Sequence, residues 1–399
     1  MAVTTHSRSR DAATEKPSLL YRPEFRQLIY QIILLAGLVF VGWWVVNNVA
    51  ENLQRNNIAS GFDFLSRTAG FDISQTLIPY SNVSTYGRAF WVGLLNTLLV
   101  SAIGIVFATI LGFIIGIARL SSNWLIARLA TVYIEIVRNV PLLLQLFFWY
   151  YAVLKNLPPP RQSIPLAGGG FLNVRGLYLP APITEPGFGI VVAAFIFGIL
   201  ASIGLYVWAR RRQMQTGQQF PVFLSSLGLI VGLPLIVYFV LGSPMYWEYP
   251  VLRGFNFQGG LVIQPEFLAL LLGLSIYTAS FIAEIVRAGI LGVPKGQKEA
   301  AKALGLTDGQ MLRLVVIPQA ARIIIPPLTS QYLNLTKNSS LAVAIGYPDF
   351  VSVFAGTVLN QTGQAVEVIA MTMAVYLTIS LLTSAFMNWF NRRMALVER

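Results

Sequence analysis

The sequence predicts an all-α, polytopic transmembrane protein of about eight spans, and three observations carry that prediction. Hydrophobic residues make up 55% of the 399 positions and charged residues only 11%. The apolar residues are gathered into stretches of bilayer-crossing length, about 20 residues for a hydrocarbon layer roughly 30 Å thick. The basic residues between those stretches alternate between rich and poor segments, as the positive-inside rule requires.

Taken in order, the candidate spans are 29–50, 90–117, 127–154, 188–208, 221–243, 265–287, 322–345 and 366–390. In lipid each must satisfy its backbone polar groups internally, so each is expected to be helical. Residues 1–28 are polar and carry Arg8, Arg10, Lys16, Arg22 and Arg26. The run that follows is too long for the core of a cleaved signal. Glu51, Asn52 and Gln54 stand where a small-residue cleavage site would be, so 29–89 is expected to be a retained first span and its outer loop. Segments 90–154 and 265–390 carry five of the other spans. Between them, 155–264 reads as an insertion carrying the fourth and fifth spans, and its Pro- and Gly-rich loop at 155–188 is expected to be irregular. A short tail, 391–399, closes the chain.

An even number of spans places both termini on one side. If that side is cytoplasmic, 19 of the 28 basic residues face the cytoplasm and 7 lie in outer loops, with Arg138 and Lys337 inside spans. Topology therefore accounts for the net charge of +12 without a nucleic-acid partner. There is no cysteine, and the lone histidine, His6, sits in the polar N-terminal segment. Thiol chemistry is excluded, and imidazole-based catalysis or metal binding is disfavoured.

The segment between the sixth and seventh spans is distinctive. Glu299-Ala300-Ala301-Lys302-Ala303-Leu304-Gly305 reads as a short helix with a small-residue side, ended by a glycine that permits a tight turn. A second amphipathic stretch with Met311, Leu312, Leu314, Val315 and Ile317 is expected to end at Pro318. The result is a helix-turn-helix on the cytoplasmic side, within 296–318.

Glu-Ala-Ala, three residues, Gly, nine residues, Val315, one residue, Ile317 and Pro318 resemble in full spacing the EAA loop of bacterial ABC importer permeases. Further stretches resemble the polar amino-acid branch of that family: Tyr133 to Gln145, Ala283 to Ile290, Pro294 to Gln297, Ile317 to Ala320 and Lys337 to Leu341. The additional first span and the insertion resemble the longer Q-type permeases of general L-amino-acid transporters. The resemblance implies a type I importer core, with Glu299, Ala300, Ala301, Gly305 and Pro318 in contact with an ATPase subunit. It also implies two ATPase subunits, a second permease subunit, a periplasmic solute-binding protein, and residence in the bacterial inner membrane. No Gly-rich phosphate loop with its Lys and Ser/Thr is present, so ATP and Mg are expected on the partner ATPase and no cofactor on this chain.

Polar groups within spans are functional candidates because lipid penalises them unless they pair or face a cavity. Glu135 with Arg138 and Glu284 with Arg287 stand three apart on helices, so each pair can neutralise itself or line a substrate pathway. The two repeat one tetrapeptide, Glu-Ile-Val-Arg, each followed by a proline, Pro141 and Pro294. In the seventh span Gln331, Asn334, Lys337, Asn338, Ser339 and Ser340 crowd together after Pro326-Pro327, which is expected to disturb the helix. Lys337 would meet the carboxylate of an amino acid, with Gln331 and Asn338 on the same face accepting from its ammonium; interhelical hydrogen bonding is the other reading. An ion-coupled secondary transporter would instead recruit Glu135 and Glu284. A scaffold role is disfavoured by the polar cluster, and a channel by the lack of a filter sequence.

Overall fold

A computed structural model of the chain describes residues 23–55 and 60–394. His6, Arg8, Arg10, Lys16, Arg22 and Arg399 lie outside the described residues.

Helix α1 (Pro23–Arg55) holds the first apolar run, and every side chain described from Arg26 to Val49 faces outward or nearly so. Helix α2 (Tyr86–Ala118) starts where the Thr85 side chain accepts from the Arg88 backbone N–H. The third span departs from the expected single rod. It consists of α3 (Trp124–Asn139) and α4 (Leu142–Phe147), which continues as a π-turn to Val153 and a short 3₁₀ turn to Asn156. The two halves meet at 106°. Pro141 has no N–H to continue α3 and forces Val140 into extended backbone, while the Gln145 side chain donates to the freed carbonyls of Val137 and Val140, both at 2.9 Å.

This bent pair still crosses the layer once. Arg119, just before it, pairs with Glu284 near the end of helix α8 (Pro265–Leu291), whereas Lys155, at its far end, lies 3.6 Å from Glu266 in the first turn of α8. Those two carboxylates are separated by about 27 Å of helical rise. Counted as one span, the bent pair joins seven other helices long and apolar enough to cross a bilayer, which makes eight candidate crossings among the described residues.

The inserted spans are α5 (Phe188–Thr216) and a pair, α6 (Val222–Leu227) and α7 (Leu233–Val240), joined by a π-turn. A Cβ at Gly198 would collide with the Leu229 carbonyl oxygen, which is why this position accepts only glycine where the two spans touch. The loops around them are not irregular. Strands β1 (Ile164–Leu166), β2 (Gly170–Asn173), β3 (Gly176–Leu179), β4 (Ala181–Thr184), β5 (Met245–Glu248), β6 (Val251–Arg253), β7 (Asn256–Gln258) and β8 (Leu261–Ile263) form three small antiparallel sheets. The largest runs β1-β2-β3-β8, with Tyr178 opposite Val262, and ties the insertion to the start of α8. Gly168 and Gly169 make the turn between β1 and β2, whereas Pro158, Pro159 and Pro160 precede β1 and Gly170 opens β2; the strands are too short to show a period-2 pattern.

Beyond α8 come α9 (Lys295–Ala303), α10 (Asp308–Met311), α11 (Ile317–Asn338), α12 (Leu359–Thr362) and α13 (Ala365–Met394). Two proline expectations fail here. Pro318 does not end the second amphipathic stretch, and Pro326-Pro327 lie inside an unbroken α11. A π-turn over Leu312–Val316 precedes Pro318, which occupies the first turn of α11, where a missing N–H costs little.

Helix α8 is the hub. Of its most apolar window 61% is buried, against 11% for α13, so the first is enclosed by protein and the second by lipid. Leu270, Leu274, Ile282 and Val286 of α8 are fully buried, among the glycines of α2 and Ile324 and Leu335 of α11.

Candidate functional site

Three constructions bring the sequence candidates into space. The first is the hairpin between α8 and α11. Helix α9 closes with the Gly305 N–H donating to the Lys302 carbonyl at 2.9 Å and the Leu306 N–H to the Ala301 carbonyl at 3.2 Å, a Schellman closure. Gly305 provides the positive φ, +75°, that this closure needs. Helix α10 opens with a capping box in which Thr307 accepts from the Gln310 N–H and the Gln310 side chain accepts from the Thr307 N–H. Ala301 turns inward, buried in the cluster that also holds Met311 and Val316. Glu299 and Ala300 face outward, and Leu304 beside Gly305 is 81% exposed. Pro318 lines a cleft of about 600 Å³ at the root of the hairpin with Gln297, Gln319 and Arg322.

The second is a charged cluster where α2, α3 and α8 end together. Arg287 grips Glu284 through Nε and Nη2, the latter at 2.6 Å, and Arg119 grips the same carboxylate from α2. The expected Glu135–Arg138 pair does not form. Glu135 instead lies 4.0 Å from Arg119, and Arg138 stacks over the Phe281 ring at 5.0 Å. Arg119, assigned by sequence to a loop, ends α2 close enough to α8 to outcompete the neighbour on α3.

The third is a cavity of about 410 Å³ between the C-terminal end of α11 and α13, lined by Lys337, Ser340, Val351, Thr372, Tyr376 and Ser380, among others. No carboxylate lies within ion-pairing distance of Lys337 among the described residues. The Ser340 hydroxyl donates to the Lys337 carbonyl at 2.7 Å, and the buried Ser339 hydroxyl to the Thr336 carbonyl at 2.7 Å. Gln331, Asn334 and Asn338 do not line this cavity. Adjacent helical residues point about 100° apart, so Lys337 and Asn338 cannot share the face on which 331, 334 and 338 recur. The single-face arrangement expected from the sequence is therefore corrected: only Lys337 and Ser340 meet. The charged cluster lies toward the other end of the bundle, near the hairpin, so the ionisable candidates form two groups at different depths.

Sequence reasoning missed the α13 wall. Thr372, Tyr376 and Ser380 recur every fourth residue in an otherwise apolar helix, a legible stripe. It also missed Asp349, a fully buried carboxylate that accepts from the Tyr376 hydroxyl at 3.2 Å and the Ser352 N–H at 2.8 Å. Tyr376 is thus held from behind while it forms part of the cavity. A larger groove of about 550 Å³ between α2 and α13 is lined mainly by apolar side chains such as Phe90, Trp91 and Leu382, with Thr378 and Thr383 among them.

Comparison with known proteins agrees in kind. Residues 211–396 match the family described as "Binding-protein-dependent transport system inner membrane component". The chain is 58% identical to the general L-amino acid transport system permease protein AapQ of Rhizobium johnstonii, over 96% of this chain and 95% of that one. It is 56% identical to the putative amino-acid ABC transporter permease protein YhdX of Escherichia coli, over 98% of this chain and 100% of that one. To the glutamate/glutamine/aspartate/asparagine transport system permease protein BztB of Rhodobacter capsulatus it is 43% identical, over 96% of each.

Proposed function

The chain belongs to the family of binding-protein-dependent ABC importer permeases, its amino-acid branch, and on that premise we propose that it carries L-amino acids of several side-chain types inward across the bacterial inner membrane. The hairpin of α9 and α10 is the observation that carries the reading. It is mounted rigidly between two spans, closed by its own backbone hydrogen bonds, and presents an outward face with Glu299, Ala300 and Leu304. An ATPase subunit docks there, and its closure on ATP is transmitted through α8 and α11 to the far end of the bundle. ATP and Mg belong to that partner, and this chain binds no nucleotide of its own. The assembly holds two permease chains and two ATPases, with both termini of this chain cytoplasmic and a periplasmic binding protein delivering substrate at the β-sheet side.

Within the chain, Lys337 offers an unpaired ammonium to a substrate carboxylate, and Ser340, Thr372, Tyr376 and Ser380 supply hydroxyls around it. The ion-coupled alternative needs Glu135 and Glu284 free to take a cation, whereas both carboxylates carry guanidinium partners.

Replacing Gly305 by Asp tests the docking role. Its added Cβ meets no atom within 4 Å, so the penalty comes from φ and from the new charge, not from collision. Transport and substrate-stimulated ATP hydrolysis are expected to fall while the permease still inserts; undiminished stimulation would remove the assignment. For the cavity, Lys337→Met is expected to weaken amino-acid binding to the detergent-purified transporter by about tenfold or more, the scale of losing one charge-assisted hydrogen bond. Unchanged affinity in an assembled complex would remove Lys337 from the pathway and leave the docking role standing.

A further inference from the structure

The inserted spans end in a basic step that neither the docking hairpin nor the transport cavity uses. Strand β4 pairs with β5, which puts the start of α5 beside the end of α7, and β3 pairs with β8 next to the start of α8. Helices α5 and α8 therefore run the same way, and the C-terminal end of α5 emerges on the side of the α9–α10 hairpin. There, after about 20 apolar residues that bring α5 through the layer, come Trp208, Ala209, Arg210, Arg211 and Arg212. Between residues 186 and 247 the sequence contains no Asp or Glu. Among the described residues, none of the three arginines has a carboxylate within ion-pairing distance.

The arginines are not simply dangling charges. Arg212 is stacked on Trp208 with its guanidinium carbon 5.5 Å from the ring centroid, and its Nη2 donates to Gln218 Oε1 at 2.9 Å. Trp208 meets Phe220 edge-on at 5.4 Å, which folds the α5–α6 connection back over the helix end. This fold encloses a cavity of about 330 Å³ lined by Tyr206, Arg210, Gln213 and Phe220. Immediately toward the bilayer centre, Ile203, Tyr206 and Val207 are exposed on α5, and Phe223 and Leu224 on α6. The feature is thus a polar, cationic cup whose rim continues into two lipid-facing helices.

We propose that the cup at Arg210, Gln213 and Phe220, with Arg211 and Arg212 beside it, binds the phosphate headgroup of an anionic phospholipid whose acyl chains lie along α5 and α6. A planar guanidinium matches two phosphate oxygens at once, and a net-negative lipid brings the counter-charge that the protein itself withholds over this whole segment. Aromatic rings at the same level suit the headgroup boundary. A soluble phosphate ester shares the headgroup chemistry but gains nothing from the apolar rim. The proposal gives the inserted spans a role as a lipid-anchored flank of the core, and it depends on the membrane-spanning reading alone, not on the substrate or the ATPase.

Native mass spectrometry of the transporter, purified with its partner subunits and depleted of lipid, tests this when phosphatidylglycerol, phosphatidylcholine and glycerol 3-phosphate are titrated in parallel. Phosphatidylglycerol is expected to be retained at concentrations where the other two are not. Its retention should weaken by about tenfold or more in Arg210→Gln/Arg212→Gln. It should persist in Arg128→Gln/Arg392→Gln, which removes the same charge elsewhere on that side. Equal retention of the two lipids, equal loss in the two double variants, or equal binding of glycerol 3-phosphate would each overturn the proposal. A photoactivatable phosphatidylglycerol applied to the unmodified chain needs no variant to assemble: crosslinks within 206–222 support the site, and crosslinks confined to other segments refute it.

Discussion

Three glycines on one face of α2 allow the close approach of α2 to α8 and α11 to be measured without confounding helix propensity. A Cβ at Gly112 would lie 2.6 Å from Cβ and Cγ2 of Ile282, and one at Gly116 would lie 2.7 Å from the Ala283 carbonyl oxygen and 2.8 Å from Cβ of Val286. At Gly104 the nearest atom is Cδ2 of Leu335 at 3.4 Å, an ordinary contact with the end of a flexible side chain. All three Gly→Ala changes share the same gain in helix propensity, about 1 kcal/mol, so it cancels when they are compared. What remains is over-packing, about 1–3 kcal/mol where backbone or a β-branched carbon must move. Gly116 should suffer most because a carbonyl oxygen cannot rotate away. Thermal unfolding of the detergent-solubilised transporter would read this as Gly104→Ala melting at or above the parent, with Gly112→Ala and Gly116→Ala several degrees below it. Three coincident melting curves would refute the claim that glycine sets the α2–α8 distance.

Glu284→Gln leaves the Arg119 and Arg287 guanidiniums facing each other and is expected to destabilise by about 2 kcal/mol, the scale of a charge-assisted hydrogen bond at a partly exposed site. Arg119→Gln should lose less, because Arg287 still satisfies the carboxylate, and the same melting assay ranks the two. Asp349→Asn keeps the size of the side chain but turns one acceptor oxygen into a donor facing the Tyr376 hydroxyl or the Ser352 N–H, and is expected to lower the melting temperature by several degrees in the same assay; an unchanged value would show that this carboxylate does not hold α13 against the α11–α13 connection.

Much of this protein was written in local pattern. Apolar runs of bilayer length located the seven long apolar helices and the bent pair, because lipid imposes a length and a composition on each span independently of its neighbours. The EAA spacing located the hairpin and Gly305, because a Schellman closure is decided within a few residues by one φ value. What sequence could not decide were relations between elements. Pro141 lay within a span expected to be one rod, and the 106° bend there, with Gln145 capping the freed carbonyls of Val137 and Val140, was visible only in the structure. The partner of Glu135 proved to be Arg119 on α2, because an ion pair forms with whichever cation packing brings near, not with the nearest in sequence. Pro326 and Pro327 sit inside an α11 that stays helical from Ile317 to Asn338, against the disturbance that their missing N–H groups led the sequence to predict. The insertion's strands were too short for any period to show, and their pairing partners lie as far apart as Tyr178 and Val262. Polar composition marked the seventh span as a candidate, whereas the choice of Lys337 and Ser340 over Gln331, Asn334 and Asn338 was made by α13, whose Thr372, Tyr376 and Ser380 close the cavity from the opposite side.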